Sequence, residues 1–133
     1  VGRLFGPNLV IKSWWDRQTK AHYTKRARCV GNYYHSYSEA GLAVDGNTTL
    51  GEDIADKGGM HTAYEAMLIY LKLHSHQSES EEADAKRSFF EAWAQTWCHL
   101  STDKMKRDAL LTDPHAPSRV RVNAALSQFL PFR

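Results

Sequence analysis

The sequence predicts an all-α domain of about five helices. Apolar residues recur at spacings near 3.6 along most of the chain, and no convincing alternating strand or Asn-Gly hairpin interrupts them. The 133 residues are enough for one ordinary domain. Hydrophobic residues make up 42% and charged residues 24%, which is typical of a globular chain. We therefore expect residues 1–133 to form a single helical unit with a buried core.

Charge and hydropathy exclude two classes of partner. The 17 basic and 15 acidic side chains give a net charge of +2, which is too balanced for nucleic-acid binding. No apolar run approaches the ~20 residues that cross a bilayer, so we expect no membrane contact by this segment. The first residues lack the apolar core of a signal peptide, so any targeting segment belongs to a longer parent chain. Cys29 and Cys98 allow at most one internal disulfide and no four-thiolate zinc site.

The first helix is predicted from Leu9 to Arg28. Val10, Trp14 and Tyr23 share one apolar stripe on it, while charged residues cover the other faces. Residues 31–49 are rich in Gly, Asn, Ser and Tyr, which predicts an irregular segment with room for an extended piece.

The second helix is predicted from Thr49 to Leu73. Thr49 is a suitable N-cap, and Glu52 follows three residues later, as in a capping box. Gly58 and Gly59 interrupt this helix, and each costs about 1 kcal/mol relative to Ala. We therefore expect a neighbouring backbone to approach closely at this glycine pair.

Three shorter helices complete the prediction. A polar connector at residues 74–85 contains a second capping box, formed by Ser78 and Glu81, and its histidines are expected to face solvent. The helices are expected at residues 82–100, 103–111 and 117–130. The third carries an aromatic stripe and the fifth an apolar face, and these residues are Phe89, Trp93, Trp97, Val122, Leu126 and Phe129.

Two acidic residues open the second helix on one face. Glu52 and Asp56 lie four apart, so both carboxylates point the same way, with Ile54 and Ala55 expected to be buried behind them. Such a pair is stabilised by a nearby cation, and a divalent metal bound by Glu52 and supported by Asp56 is one solution. The alternative is a capping Glu and an exposed Asp.

A second candidate group lies between two prolines. His115 is held between Pro114 and Pro117, and Arg121 follows six residues later in the first turn of a helix. A His beside an Arg is suited to binding a carboxylate or an oxyanion. The alternative is a surface His and a solvated Arg. The sequence contains neither an H-E-x-x-H motif nor a G-x-S-x-G elbow.

At residues 47–59 the string NTTLGEDIADKGG resembles the N-T-L-G-E-N-I-A-D-N-G-G segment of the neprilysin and endothelin-converting-enzyme family of zinc metallopeptidases. Four further stretches resemble the same family in the same order, and they are LVxxSWW at 9–15, CxGNY at 29–33, FF followed by AQxWC at 89–98, and TDPHxPSRxRV at 112–122. The resemblance covers nearly the whole chain, which it identifies as the C-terminal, helical part of a gluzincin-type catalytic domain.

The resemblance implies a role for each candidate residue. Glu52 is implied to be the third protein ligand of a catalytic zinc, and Asp56 to hydrogen-bond a zinc-binding His. His115 is implied to stabilise the oxyanion, and Arg121 to bind a carbonyl or carboxylate of a peptide substrate. Trp97 is implied to lie near the pocket for bulky apolar side chains on the primed side of the substrate.

This chain departs from the family pattern at two points. Asp53 replaces an Asn that we expect to hold the substrate backbone, and a carboxylate can accept a hydrogen bond there but cannot donate one. The chain also lacks the H-E-x-x-H helix that supplies two zinc ligands and the general base, so the isolated chain is expected to be inactive. Its opening, Val1-Gly2-Arg3, resembles the residues that follow that helix.

The resemblance also bears on the cysteines and on location. The family counterparts of Cys29 and Cys98 each pair with a cysteine outside this region, so we expect no bond between the two; a buried free thiol is the alternative. The parent is expected to be a secreted or cell-surface ectodomain that cleaves oligopeptides at internal bonds. The rival hypothesis is a non-catalytic, peptide-binding homologue.

Overall fold

The computed structural model describes residues 4–74 and 78–133, and these residues form a mainly α-helical structure. The predicted solvent-facing position of His76 lies outside the described residues. The elements in chain order are α1 (Arg17–Tyr34), β1 (Ser38–Glu39), β2 (Leu42–Ala43), α2 (Leu50–Leu73), α3 (Glu79–Thr96), α4 (Asp103–Thr112), α5 (Ser118–Ser127) and a final 3-10 turn (Leu130–Phe132). None of these described helices is both long enough and apolar enough to span a membrane.

Helix α1 begins eight residues later than predicted and ends six residues later. Asp16 fixes its start, because the Asp16 carboxylate accepts the Thr19 backbone N–H at 2.8 Å as an N-cap. The residues before it form a turn closed by a bridge between Phe5 and Ile11. The prediction that Val10 shares a helical stripe is therefore wrong, and Val10 is exposed.

The irregular segment contains the extended piece that the sequence allowed. Strands β1 and β2 pair antiparallel, with Glu39 opposite Leu42. Ala40 and Gly41 connect them, both with positive φ, as in the tight turns that join hairpins. The sequence did not identify this hairpin, because the strands have only two residues each and lack an alternating pattern.

Helix α2 is continuous through Gly58 and Gly59, and the prediction of a close backbone approach there is wrong. A Cβ atom added at either glycine would meet no other atom within 4 Å. The close approach occurs instead between α1 and the loop before α2. A Cβ on Gly46 would lie 2.0 Å from the carbonyl oxygen of Gly31, so this contact requires glycine.

The predicted capping boxes of α2 and α3 have opposite outcomes. At α3, the Ser78 hydroxyl accepts the Glu81 backbone N–H and the Glu81 carboxylate accepts the Ser78 backbone N–H, so this capping box is confirmed. The helix starts three residues earlier than predicted. At α2, Thr49 is the N-cap residue, but its side chain makes no capping hydrogen bond. The Thr49 hydroxyl instead donates to Asp53, so the box with Glu52 does not form.

Helix α4 matches its prediction to within one residue, whereas α3 and α5 are shorter than predicted. Helix α3 ends at Thr96, and Trp97 is its C-cap residue. Pro117 precedes α5 as its N-cap residue instead of occupying the first helical position.

Two apolar clusters hold these helices together. The first joins α1, the hairpin and the start of α5 through Tyr34, Val44, Ala116, Val120 and Ala124. The second joins the later part of α2 to α5 and the 3-10 turn, with the aromatic stripe of α3 packed against it; its buried residues are Met60, Tyr64, Ala125, Leu126 and Phe129. Because α5 belongs to both clusters, it packs against α1 on one side and against the later part of α2 on the other.

Candidate active site

The first turn of α2 brings Glu52 against the proline-bracketed loop before α5. Glu52 Oε2 lies 3.3 Å from His115 Nε2, and both side chains are about half exposed. These residues are 63 positions apart in the sequence (115 − 52), so the fold brings them together. The expectation that Ala55 is buried behind the acidic pair is wrong, since Ala55 is exposed and the buried neighbour is Asp53.

His115 is oriented by a residue that sequence reasoning did not select. The Asp113 carboxylate accepts the His115 backbone N–H at 2.9 Å and lies 2.6 Å from His115 Nδ1. The backbone and ring contacts of His115 hold the pKa of Asp113 below its ordinary value. Because a carboxylate only accepts, Nδ1 carries a proton and Nε2 points towards Glu52. The signal was present in the sequence as Asp-Pro-His, an acid two residues before a rigid His.

Asp56 and Arg121 form a buried, two-pronged ion pair beside that contact. Arg121 Nε donates to Asp56 Oδ2 and Arg121 Nη2 donates to Oδ1, both at 2.6 Å. The side chains of Asp56 and Arg121 are only 9% and 11% exposed. The guanidinium carbon lies 3.6 Å from the centre of the Trp97 ring, a cation–π contact. The alternatives of an exposed Asp and a solvated Arg are therefore wrong.

A cavity of about 700 Å³ opens beside these residues. The polar and aromatic side chains that line it include Trp97, His115 and Arg121 together with Glu39, Lys106 and Arg119. Apolar side chains of α3, α4 and α5 complete the wall, among them Ala94, Leu110 and Val122. Such a mixture of apolar surface and few convergent polar groups is typical of ligand sites.

Asp53 does not take the position expected of a substrate-binding residue. It is completely buried, and its Oδ2 accepts the Thr49 hydroxyl at 2.7 Å, while its Oδ1 has no hydrogen-bond partner. Burial raises the pKa of Asp53 to about 6, and the nearby Asp56 carboxylate adds to this effect. The expected role of Asp53 in holding the substrate backbone is therefore wrong, because its side chain faces the protein interior.

Of the residues described here, Glu52 can supply one ligand to a zinc ion, which is fewer than a zinc site needs. The Glu52 carboxylate is partly exposed and one of its oxygens lies beside an imidazole, so an oxygen atom is available to a metal. Asp56 uses one lone pair of each oxygen for Arg121 and can still accept an N–H. Among residues 4–74 and 78–133, however, no three His, Cys, Asp or Glu side chains are grouped to hold a metal ion. A zinc site using Glu52 therefore needs ligands from outside these residues.

A half-exposed carboxylate, an oriented imidazole and a buried Arg beside one cavity are chemically compatible with a hydrolytic metalloenzyme. The sequence profile of peptidase family M13 matches residues 1–133, and the chain belongs to this family of metallopeptidases. It is 36% identical to Neprilysin-1 of Caenorhabditis elegans, 37% to an endothelin-converting enzyme homolog of Locusta migratoria and 34% to endothelin-converting enzyme 1 of Homo sapiens. These alignments cover 96–98% of this chain but 17–18% of the relatives' lengths.

Proposed function

We propose that residues 1–133 are the C-terminal part of the catalytic domain of a zinc-dependent endopeptidase. The parent reaction is the hydrolysis of internal peptide bonds in oligopeptides. The observation that carries the proposal is the approach of Glu52 to His115, at 3.3 Å, beside the Asp56–Arg121 pair. Family membership supports the same reaction class.

In this proposal Glu52 holds the zinc ion, whose other ligands lie outside residues 1–133. Zinc, when bound, activates water near neutral pH and polarises the peptide carbonyl. The carboxylate of Asp56 faces the same side of α2 as Glu52, so it accepts the N–H of an imidazole ligand and orients that ring. Arg121 holds the Asp56 carboxylate in place through its two hydrogen bonds.

His115 and Arg121 act on the substrate. With Glu52 bound to the metal, the Nε2 atom of His115 donates to the carbonyl oxygen as that oxygen gains negative charge. Asp113 keeps the ring in the required orientation. Arg121 binds a substrate carbonyl or carboxylate, and Trp97 lines the pocket for an apolar primed-side residue.

Zinc analysis on two polypeptides tests this proposal. The 133-residue chain alone should bind no stoichiometric zinc, whereas a longer parent chain that includes an H-E-x-x-H segment should bind one ion and cleave peptides. Glu52→Gln in the longer chain should abolish binding, and Glu65→Gln, a change at an exposed position of the same helix, should not. Tight one-to-one zinc binding by the 133-residue chain alone would contradict the proposal.

The second candidate function is a helical peptide-binding module without catalysis. It is favoured by the cavity beside Trp97, His115 and Arg121, together with the lack of a three-ligand metal group among the described residues. Reading the parent's sequence upstream of Val1 discriminates the two, because the module needs no H-E-x-x-H motif.

We further propose that the parent functions outside the cell or at its surface. Cys29 and Cys98 are exposed free thiols here, so the buried-thiol alternative is wrong and both sulfurs are accessible to cysteines of other segments. Disulfide mapping of the secreted parent should find each of them bonded to a cysteine outside residues 1–133.

A further inference from the structure

Glu39 lines the same cavity as Trp97 and connects three elements of the fold. It lies on β1, and its side chain is only 11% exposed. One carboxylate oxygen accepts Arg119 Nε at 2.8 Å, and the other lies 3.1 Å from Lys106 Nζ. Arg119 belongs to the first turn of α5 and Lys106 to α4, so a single carboxylate joins the hairpin to both helices.

Backbone contacts strengthen this connection. Arg119 Nη2 donates to the Ser38 carbonyl at 2.7 Å, and Arg107 Nη1 donates to the Ala40 carbonyl at 3.4 Å. The guanidinium of Arg119 therefore binds the hairpin through both a side chain and a backbone group. Arg119 first, and Lys106 after it, hold the pKa of Glu39 below its ordinary value, so the carboxylate is charged at neutral pH.

The joined segment carries the candidate catalytic groups. Arg119 is four residues after His115 and two residues before Arg121. No side chain caps α5, since Pro117 is its N-cap residue. Beyond the apolar contacts of Ala116 and Val120, the start of α5 is thus held to the hairpin by charge-assisted hydrogen bonds to β1.

We propose that Glu39 is a positioning residue, which sets the placement of His115 and Arg121 by fixing the first turn of α5. The expected effect of Glu39 on catalysis rests on the proposed function, whereas its positioning of α5 does not. Without the carboxylate, Lys106 and Arg119 would be two unneutralised cations on one wall, and they would repel each other. The first turn of α5 would then shift, and small displacements of catalytic groups reduce turnover strongly.

Glu39→Gln in the zinc-loaded parent tests the catalytic effect. We expect unchanged zinc content, a fall of about tenfold in kcat per bound zinc and partial recovery in Glu39→Asp. The matched control is Asp108→Asn, which breaks the exposed Lys104–Asp108 ion pair on α4 and should leave kcat unchanged. Unchanged kcat in Glu39→Gln at equal zinc content would overturn the proposal.

A measurement on the 133-residue chain tests the positioning without zinc or activity. Glu39→Gln should shift the NMR signals of the Arg121 Nε–H and the Trp97 indole N–H, whereas Asp108→Asn should leave both in place. If neither signal moves in Glu39→Gln, Glu39 does not position α5, whatever the parent catalyses. If the signals move but the wild-type parent is no peptidase, the proposed function fails and the positioning role stands.

Discussion

Residues 50–57 of α2 bury acidic groups, whereas residues 60–71 of the same helix bury apolar ones. In the first part, Asp56 is paired with Arg121 and Asp53 is wholly enclosed. In the second part, Tyr64 packs against three aromatic rings at centroid distances of 5.3–5.6 Å. Gly58 and Gly59 lie between the two parts and contact neither cluster.

The difference indicates which part of α2 stabilises the fold and which part carries the groups proposed for catalysis. A buried ion pair is weak evidence for stability, because desolvation offsets the attraction between its charges. A buried carboxylate oxygen without a partner, as in Asp53, is destabilising. The acidic half is therefore not explained by stability, which agrees with the proposed catalytic role, whereas the aromatic half stabilises the fold. Substitutions in the two halves should accordingly change different measured quantities.

The largest expected effect is the loss of catalysis on changing the acidic half in the zinc-loaded parent. Glu52→Gln should abolish zinc binding and peptide hydrolysis, since an amide is a poor substitute for an anionic ligand. His115→Ala should keep zinc and lower kcat by about 10²–10³, the typical effect of removing one oxyanion donor. Metal analysis and kcat on the same samples check both outcomes. Equal loss of zinc in both variants would refute the separate roles.

Tyr64→Ala should show the opposite behaviour. It removes a ring that is 4% exposed and lies at the centre of the aromatic cluster. We expect the free energy of unfolding to fall by about 3–5 kcal/mol, measured by urea unfolding of the 133-residue chain. The folded fraction should keep the NMR signals of the Asp56–Arg121 pair, and a loss of those signals would mean that the two halves are coupled.

The sequence predicts the helical elements best where local signals agree. The predicted extents of α2 and α4 match the structure to within one residue, and the Ser78–Glu81 capping box is present. The neighbourhood of Glu52, His115 and Arg121 follows from the family resemblance, because spacing alone favoured a surface His and a solvated Arg. Nothing in a single sequence measures the distance between segments that lie some 60 residues apart.

Errors arose at features that the apolar pattern of the sequence does not decide. The start of α1 depends on which polar residue caps it, and Asp16 does so inside a stretch with helical periodicity. The Thr49 hydroxyl was expected to cap α2, but it donates to a carboxylate that the fold has buried. The glycine requirement was assigned to Gly58 and Gly59, whereas the crowded pair is Gly31 and Gly46.

The buried carboxylate of Asp53 makes stability depend on pH in the isolated chain. Its folded-state pKa of about 6 exceeds the ordinary value of 3.8, so the folded state binds the proton more tightly. The resulting stabilisation is complete below pH 3.8 and is lost as the pH rises through 6. The raised pKa corresponds to about 3 kcal/mol, so Asp53→Asn should stabilise the chain by up to that amount at pH 8 and by little at pH 4.

Urea unfolding of Asp53→Asn and wild type at the two pH values checks this dependence. The control is Asp84→Asn, which changes an exposed carboxylate on α3 and should show no such difference between the two pH values. Equal stabilisation by Asp53→Asn at both pH values would show that the amide acts through packing, and that ionisation of Asp53 is not the cause.

The smallest expected effect is at the boundary between the two halves. Gly58→Ala and Gly59→Ala should each stabilise the chain by about 1 kcal/mol, because the helix is continuous there and the added methyl groups meet no neighbour. Gly46→Ala is the contrasting variant, since its Cβ would overlap the Gly31 carbonyl oxygen at 2.0 Å and should destabilise the chain strongly. Thermal unfolding of the three variants gives the comparison. If the two α2 variants stabilise the isolated chain but lower the stability of the full-length parent, another part of the parent packs against the exposed glycine face. If they destabilise the isolated chain, α2 is not a regular helix at this boundary.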